Sequence, residues 1–507
     1  GLWGAALLQI LALAGLWGLV LRPAGARIAD WVRASREADA DRRHRLLHDP
    51  LTQLPNAVYL GAHLERLAAG AERATRETAV LRVELARFRT LREAMGARAA
   101  DETLRIAARR IRRAMRAGDF AAHLGGDAFV VVADGLEDAA AAAAIARRLE
   151  TALVRPFALP GGARRIGCAI GVALLSDDLP EAERALANAE IALAAAQETP
   201  AGGVGYFREE LRAEVERRET MVAELTAALE RGEIAPHFQP QTDLATGRIA
   251  GLEALARWRH PRLGLLGPAA FLDYAEAADL TERLGETILA QSLAALRAWD
   301  AMGLDVPQVG VNFAMAQLRD PRLIEKIKWE VERHDVDPDR VAIEVLETVL
   351  IKSDADLVVR NLRGLASAGF RVELDDFGTG HASIQNLRRF MVDRIKIDRS
   401  FVGGIEASEE SRILTASMIA MARALGIATI AEGVETEAAA ETLRRLGCDA
   451  AQGFHFARPM SLEEATAWLA ALPAQMRCGR SPSVRPADEA HPIPGDMAGG
   501  SRDPHNA

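Results

Sequence analysis

The chain opens on an apolar run that contains no charged side chain. Residues 1–21 read GLWGAALLQILALAGLWGLVL, and as a helix they would span roughly 30 Å, the thickness of a bilayer core. No basic segment precedes the run, as a signal peptide would require, and the run is too uniformly apolar for a soluble core helix. Arginines follow at Arg22, Arg27, Arg33 and Arg36, which favours the cytoplasm for all later residues. We predict a transmembrane helix over 1–21 in the inner (cytoplasmic) membrane.

Two charged segments further along have the pattern of connecting helices. Residues 22–48 are Ala-rich and predict a helix that leads out of the membrane. It is either a solvated linker or a signalling helix that pairs with its twin in a dimer, because no sustained heptad decides between them. Residues 208–232 predict an amphipathic linker helix, whose apolar side is Leu211, Val215, Met221, Leu225 and Leu229.

Residues 49–207 have the pattern of an α+β domain. An alternating strand is predicted over 79–85, and two apolar strands meet at the turn Gly125-Gly126-Asp127. The remaining elements are a helix over 137–155, a strand over 165–175 and a helix over 180–196.

Residues 233–472 repeat a short apolar strand followed by an amphipathic helix, which predicts a parallel β/α architecture. Each predicted strand ends in a polar residue: Glu253, Asn312, Glu344, Asp375 with Asp376, Lys396, Glu432 and Gln452. Because the carboxyl ends of barrel strands meet at one mouth, we expect these side chains to converge there. Pro, Gly, Ser and charged residues dominate residues 473–507, which predicts a disordered tail.

The side chains at these strand ends indicate a metal-dependent hydrolase. Oxygen ligands without His or Cys favour Mg²⁺ or Mn²⁺ over zinc. The adjacent carboxylates of Asp375 and Asp376 allow one of them to bridge two ions, an arrangement typical of phosphate-ester hydrolysis. Lys396 is suited to hold the attacking water or the developing charge. The alternative, a solvated acidic rim, does not explain why so many strands end this way.

Composition narrows the function further. A length of 507 residues predicts two or three domains. The net charge of −9 argues against DNA as a partner. Cys168, Cys448 and Cys478 lie far apart, without the spacing of a disulfide framework or a zinc site, and fit a reducing compartment.

The second domain closely resembles the EAL family of cyclic di-GMP phosphodiesterases. The signature is Glu253-Ala254-Leu255-Ala256-Arg257-Trp258, supported by VNF, IEVLET, LDDFGTG, IKID, AEGVE and QGFHFARP. The resemblance implies a (β/α)8-like barrel with one reversed strand. It also implies a role for each site residue. One metal ion is held by Glu253, Asn312, Glu344 and Asp375, the second is engaged by Asp375 and Asp376, and Glu432 completes the metal–water network. Lys396 positions the nucleophile, the substrate is contacted by Gln239, Arg257 and Gln452, and Glu347 anchors the glycine-rich lid loop after Asp376.

The first domain resembles the GGDEF family of diguanylate cyclases through DPLTQLPN and LGGDAF. Glu84, Asp101 and Asp127 match functional positions of that family. Three other positions depart from it: Ala128 replaces a Glu, Arg92 a guanine-reading Asn, and Arg89 a Lys. Losing a carboxylate and the base-reading amide should remove metal charge compensation and substrate orientation. We therefore predict a cyclase-inactive domain with a regulatory role.

A candidate regulatory nucleotide site remains in the first domain. Arg116 and Asp119 match the RxxD motif of the family's inhibitory product site, and an Arg can bind a guanine edge or a phosphate. GTP or cyclic di-GMP would be the ligand. The alternative is an arginine at a helix end and an aspartate in a turn.

Together these features predict a membrane-anchored, homodimeric phosphodiesterase that hydrolyses cyclic di-GMP to linear pGpG with two Mg²⁺ or Mn²⁺ ions. Two other interpretations remain. In one, the barrel is a non-catalytic receptor that binds cyclic di-GMP; in the other, the chain is bifunctional and keeps cyclase activity. The full ligand set with Lys396 favours catalysis over a receptor, and Ala128 and Arg92 argue against cyclase activity.

Overall fold

The structure, a computed structural model, describes residues 31, 42, 44–69, 77–175, 182–198, 202–352, 356–380, 387, 389–473 and 476. The chain divides into two compact units, Gly1–Arg218 and Glu219–Ala507. Three predicted segments lie wholly or mostly outside the described residues: the membrane helix over 1–21, the helix over 22–48 and the tail over 473–507. Within the described ranges, no helix has both the length and the apolar character that a membrane crossing needs.

The first unit is the predicted α+β domain. Its helices are α1 (Ala57–Ala69), α2 (Phe88–Met95), α3 (Ala97–Ala114), α4 (Ala139–Leu153) and α5 (Ala182–Gln197). Its strands are β1 (Glu77–Leu85), β2 (Phe120–Gly125), β3 (Ala128–Leu136), β4 (Phe157–Leu159), β5 (Gly162–Arg164), β6 (Cys168–Leu175) and β7 (Gly202–Tyr206). Five of these strands form a sheet of order β2-β3-β1-β6-β7, in which only the β6–β7 pair is parallel, and β4 and β5 form a separate hairpin.

Strand β1 lies in the middle of this sheet, paired with β3 on one side and β6 on the other, and it has apolar side chains on both faces. Leu81 and Val83 pack on one face with side chains of α3 and α4. Val80 packs on the opposite face with side chains of α1 and α5. Successive side chains of a strand point to opposite faces, so the apolar stretch 79–81 contributes to two cores at once.

The second unit is built on nine strands among its described residues, with a helix between most of them. The strands are β8 (Ile234–Asp243), β9 (Ile249–His260), β10 (Gly264–Leu266), β11 (Val309–Asn312), β12 (Val341–Leu346), β13 (Arg371–Phe377), β14 (Arg394–Ile397), β15 (Ala428–Ala431) and β16 (Ala450–Gln452). The helices are α6 (Glu209–Arg231), α7 (Leu272–Ala277), α8 (Thr281–Ala301), α9 (Met315–Leu318), α10 (Leu323–Arg333), α11 (Glu347–Lys352), α12 (Asp356–Ser367), α13 (Arg399–Val402), α14 (Glu409–Leu425), α15 (Glu437–Leu446) and α16 (Leu462–Ala471).

Eight of these strands close into a barrel. Strand β9 pairs in parallel with β11, and every strand from β12 to β16 pairs in parallel with the one before it. Strand β8 pairs antiparallel with both β16 and β9 and so closes the ring. Strand β10 extends the edge of β9 as a hairpin. The predicted barrel with one reversed strand is confirmed.

Helix α6, Glu209–Arg231, lies where the sequence predicted a linker helix. Met221, Leu225 and Leu229 are buried in the core of the second unit. Val215, which the sequence placed on the same apolar side, is exposed. Leu211 is half-buried, so the buried positions of this apolar side all lie in the second half of the helix.

Several predicted strand ends were placed too early. Strand β9 does not end at Glu253 but continues to His260, because it pairs with β8 on one side and β10 at its end. Glu344 and Asp375 likewise lie inside β12 and β13. Asn312 and Gln452 are the last residues of their strands, and Glu432 directly follows β15.

Candidate active site

Lys396 lies at the centre of the carboxylates inside the barrel. Its side chain has no exposed surface, and its ammonium contacts carboxylates carried by four strands or strand ends. Nζ lies 3.2 Å from Glu253 Oε1, 3.0 Å from Glu344 Oε2, 3.0 Å from Asp375 Oδ1 and 2.8 Å from Glu432 Oε1. We call these four acidic residues the carboxylate ring. Carboxylates this close repel one another unless a positive charge lies among them, and Lys396 supplies that charge.

Amide side chains orient Glu253 within the ring. Asn312 Nδ2 donates to Glu253 Oε1 at 3.1 Å, and Gln452 Nε2 donates to Glu253 Oε2 at 2.5 Å. Gln452 Nε2 also lies 3.1 Å from Gln239 Oε1, while Gln239 Nε2 donates to the carbonyl of Ala457 at 3.0 Å. Both oxygens of Glu253 are thereby held in place, one by a donor on β11 and the other by a donor on β16.

A glycine makes room for Glu344. A Cβ atom built on Gly310 would lie 1.9 Å from Glu344 Oε1, so no other residue fits there without moving the carboxylate. That oxygen is buried and has no hydrogen-bond partner among the described residues. A buried carboxylate oxygen left in this state is one that a cation can bind.

The chain turns sharply after Asp375. Asp376 has a φ of 53°, a left-handed conformation that Asp tolerates, and its N–H donates to Asp375 Oδ1 at 3.0 Å. Gly378, with a φ of 104°, donates its N–H to Glu347 Oε2 at 2.9 Å, and Gly380 donates to the same oxygen at 3.0 Å. Glu347 thus contacts the glycine-rich loop where the sequence predicted its anchor.

The acidic side chains form two overlapping groups that can each hold a metal ion. Glu253, Glu344 and Asp375 form one group, and Asp375, Asp376 and Glu432 form the other, with ligand atoms within 4.8 Å of one another in each. Asp375 is common to both. Five carboxylates and one ammonium carry a formal charge of −4, which two divalent cations would match. The oxygen-only donor set and the unpartnered Glu344 oxygen fit Mg²⁺ or Mn²⁺.

The pKa values of the buried groups reflect the crowding of negative charge. Burial and the neighbouring Glu253 hold the pKa of Glu344 well above its usual range. Burial also raises the pKa of Glu432 to about 8 and, with Asp375, raises that of Asp376. Burial alone would lower the pKa of Lys396, but the carboxylates outweigh it and the pKa is raised. Lys396 therefore stays charged, and part of the acidic cluster holds protons that a metal ion would displace.

A cavity of about 920 Å³ opens over the ring. Glu253, Asn312, Asp375, Glu432 and Gln452 line it, together with Gln239. Apolar side chains form other parts of the wall, such as Leu284, Ile288, Phe313 and Phe454. A cavity lined by both polar and apolar side chains suits a ligand that is both charged and aromatic.

Two arginines differ from the sequence prediction. Arg257, predicted to contact the substrate, is not among the residues that line this cavity, and its Nη1 donates to the carbonyl of Ala256 at 2.8 Å. Arg399, which the sequence analysis did not select, does line the cavity, at the start of α13. Its position three residues after Lys396, directly beyond a barrel strand, is the signal that could have found it.

In the first unit, Glu84 lies beside the position at which the sequence lacks a second carboxylate. Glu84 on β1 is in register with Ala128 on β3, so a methyl group lies where the family has a second carboxylate. Gln197 Nε2 donates to Glu84 Oε2 at 2.7 Å, and Arg82 Nη2 lies 3.6 Å from Glu84 Oε1. The Glu84 carboxylate therefore already accepts a hydrogen bond from Gln197 and has the positive charge of Arg82 beside it. No group of three or more metal-ligating side chains lies in the described part of this unit.

The candidate regulatory residues are close together in a turn. The Asp119 carboxylate accepts the backbone N–H of Arg116 at 2.7 Å, and Arg116 is exposed. This contact accounts for Asp119 as a turn residue. A nucleotide at Arg116 stays a prediction.

Comparison with known protein families matches both units. The EAL domain model matches residues 222–459, and the model for the diguanylate cyclase GGDEF domain matches residues 46–202. A solved structure of the PaMucR phosphodiesterase in complex with c-di-GMP is 34% identical, with a TM-score of 0.47, and covers 48% of this chain and 99% of its own.

Three curated relatives extend over most of the chain. The bifunctional diguanylate cyclase/cyclic di-GMP phosphodiesterase MucR of Pseudomonas aeruginosa is 34% identical over 84% of this chain and 62% of its own length. The cyclic di-GMP phosphodiesterase NbdA of the same organism is 31% identical over 89% of this chain and 57% of its own length. The uncharacterized protein Mb1389c of Mycobacterium bovis is 31% identical over 85% of this chain and 68% of its own length. The chain thus spans less than two thirds of MucR and NbdA. It belongs to the family of proteins that carry a GGDEF domain and an EAL domain in tandem.

Proposed function

We propose that the barrel hydrolyses cyclic di-GMP to linear pGpG. The observation that carries the proposal is the pair of overlapping acidic groups that share Asp375, set around the buried ammonium of Lys396. MucR and NbdA, which are similar to most of this chain, are named for the same phosphodiesterase activity. The cavity suits a ligand with a charged backbone and two aromatic bases.

Two Mg²⁺ or Mn²⁺ ions bound to the acidic groups would supply an activated water and neutralise charge on the phosphoryl oxygens. The water oxygen forms a new bond to phosphorus and the bond from phosphorus to the ribose 3′ oxygen breaks. The proton that the water loses is balanced by the one that the leaving 3′ oxygen gains as a hydroxyl, which leaves the 5′ phosphate of pGpG. Because the pKa of Lys396 is raised, its ammonium does not take the proton from the water. Lys396 instead holds the carboxylates in position and stabilises developing negative charge.

The other residues have supporting roles. Glu253 is fixed by Asn312 and Gln452, so its ligand atoms are oriented before a cation arrives. Gln239 and Arg399 line the cavity and are suited to contact the substrate. The sequence signature assigns Arg257 to the substrate as well.

The test uses the full chain with cyclic di-GMP and Mn²⁺, with products separated by chromatography. We expect pGpG to form and Glu253→Ala to reduce turnover by more than about 100-fold, beyond the usual range for residues that only support a metal ligand. Cyclic di-GMP that is bound but left intact by the parent protein would make the barrel a receptor.

We also propose that the GGDEF domain is cyclase-inactive and regulates the barrel. The register of Glu84 with Ala128, and the contacts of Glu84 with Gln197 and Arg82, support this. GTP and Mg²⁺ should yield no cyclic di-GMP; measurable synthesis would make the chain bifunctional.

Anchoring at the inner (cytoplasmic) membrane through residues 1–21, and a homodimeric state, complete the proposal. Its support is the uncharged apolar run with arginines after it. Cell fractionation should recover the full chain with membranes and release it once residues 1–21 are removed. Light scattering in detergent should give the mass of two chains, and the mass of one would exclude the dimer.

A further inference from the structure

A second polar network lies inside the barrel beside the carboxylate ring. Gln308 Nε2 donates to Glu373 Oε1 at 2.6 Å, and Arg394 Nη1 lies 3.2 Å from the same oxygen. Arg394 Nη1 also donates to Gln241 Oε1 at 3.3 Å. We call Gln241, Gln308, Glu373 and Arg394 the barrel floor. Glu373, Gln241 and Gln308 are buried, and Arg394 is largely so.

The floor residues are carried by the same strands as the site. Glu373 precedes Asp375 by two residues on β13, and Arg394 precedes Lys396 by two residues on β14. Side chains two residues apart on a strand point to the same face, here the barrel interior.

Gln241 and Gln308 also lie on, or directly before, strands that carry site residues. Gln241 and Gln239 are two residues apart on β8, and Gln308 directly precedes β11, which ends in Asn312. The floor therefore joins four strands or strand starts, and each of these strands delivers a residue to the ring, to its central ammonium or to its amide contacts.

Fold stability does not account for this network. The interior of a β/α barrel is usually filled by branched apolar side chains, and a buried ion pair seldom stabilises more than apolar residues of similar volume. Among the described residues, Glu373 Oε2 and Gln241 Nε2 have no hydrogen-bond partner. A network selected for stability would leave fewer buried polar atoms unpaired.

Glu373 is also next to the ring itself. It is in register with Glu344 of β12 on one side and with Arg394 of β14 on the other. Glu344 is the ring member whose free oxygen is available to a cation. A shift of β13 relative to its neighbours would therefore move Glu344, Asp375 and Lys396 with respect to one another.

We propose that Glu373 and Arg394 are positioning residues. Through their hydrogen bonds to Gln308 beside β11 and Gln241 on β8, they fix how far the strands that carry the metal ligands are displaced along one another. This rests on the proposed two-ion site and adds residues that act through its ligands rather than by touching substrate. Supporting groups behind a metal site typically change metal affinity or activity by roughly 10–100-fold when removed.

The test measures Mn²⁺ affinity of the full chain by isothermal titration calorimetry and unfolding temperature by scanning calorimetry. The floor variant is Glu373→Met with Arg394→Met, which removes both charges and keeps side-chain volume. The matched control is Asp300→Leu with Arg340→Met, which removes a bidentate pair of the same unit with contacts of 2.7 and 2.9 Å, away from the ring. A third variant, Gln241→Met, removes only the contact across to β8.

We expect the floor variant to bind Mn²⁺ roughly 10–100-fold more weakly and Gln241→Met roughly 3–10-fold more weakly, with the control within about twofold of the parent. The unfolding temperature of the floor variant should fall no further than that of the control. Parental Mn²⁺ affinity in both floor variants would overturn the inference, as would an equal loss in the control. If the double variant does not fold, Gln241→Met decides alone. A parent that fails to hydrolyse cyclic di-GMP, while the floor variants still lose Mn²⁺ affinity, would refute the proposed function and leave this inference standing.

Discussion

Replacing Lys396 with methionine removes the ammonium that all four carboxylates of the ring contact. The four N–O distances lie between 2.8 and 3.2 Å. At an effective dielectric constant of about 20, each contact contributes about 5 kcal/mol of attraction before desolvation, which offsets most of it. Removing one partner of a buried ion pair costs about 3–5 kcal/mol. For a unit of this size, that lowers the unfolding temperature by roughly 6–20 °C.

Lys326→Met is the matched control for this prediction. Lys326 also contacts several carboxylates, at 2.8 Å for Asp320 and 3.7 Å for Glu286, with Glu282 as a third partner. It lies on the surface of α10, however, where an ion pair contributes about 1 kcal/mol or less. Scanning calorimetry of both variants without metal should therefore show a much larger loss for Lys396→Met.

The pH dependence of the loss identifies its cause. Without the ammonium, the carboxylates of the ring bind protons more tightly in the folded chain than in the unfolded one. Stability of Lys396→Met should then fall, relative to the parent, as pH rises from 5 to 8, and added Mn²⁺ should restore part of it. Equal unfolding temperatures for the two lysine variants, at every pH, would refute the role of Lys396 as the charge that holds the ring together.

Three further predictions concern the metal ligands and the loop beside them. Asp375→Asn should abolish binding of two Mn²⁺ ions per chain, because both acidic groups contain this residue, and calorimetric stoichiometry would check it; two ions still bound would exclude Asp375 as the shared ligand. Since burial raises the pKa of Glu432 to about 8, metal must displace a proton below that pH. Mn²⁺ affinity should rise with pH and level off above about 8, with proton release seen as a buffer-dependent heat; an affinity independent of pH between 6 and 8 would contradict this. Glu347→Gln should weaken two hydrogen bonds to a charged acceptor, each worth about 1.5–3 kcal/mol, so amide exchange at Gly378 and Gly380 should speed up by roughly tenfold or more. Unchanged exchange would show that another contact holds the loop.

Most of the site residues could be predicted from sequence because they lie at or near the end of an apolar strand. Asn312, Glu432 and Gln452 are placed as the pattern predicted. Glu253 was identified from sequence although its strand was predicted to end there and in fact continues to His260. The extension of β9 to His260 depends on pairing with β8 and β10, and such long-range pairing leaves no periodic signal within β9 itself.

The contacts between site residues could not be predicted in the same way. The pattern suggested that Lys396 would hold a water or a developing charge, but not that it would contact four carboxylates. Glu373 and Arg394 appeared only as charged residues inside apolar strands. Their partnership depends on the parallel register of β13 and β14, which only the closed barrel fixes.

In the first unit, sequence identified the missing carboxylate but not its consequence for Glu84. The loss at Ala128 can be seen from the LGGDAF motif alone. The contacts of Glu84 with Gln197 and Arg82 bring together residues up to 113 positions apart, and only the folded sheet and α5 show them.

Anomalous scattering from crystals of the barrel loaded with Mn²⁺ would locate the ions themselves. A two-ion site predicts two Mn²⁺ peaks roughly 3.5–4 Å apart, with Asp375 coordinating both. Glu253 and Glu344 should coordinate one ion, and Asp376 and Glu432 should lie beside the other. A single peak, or two peaks without Asp375 between them, would contradict the proposed site.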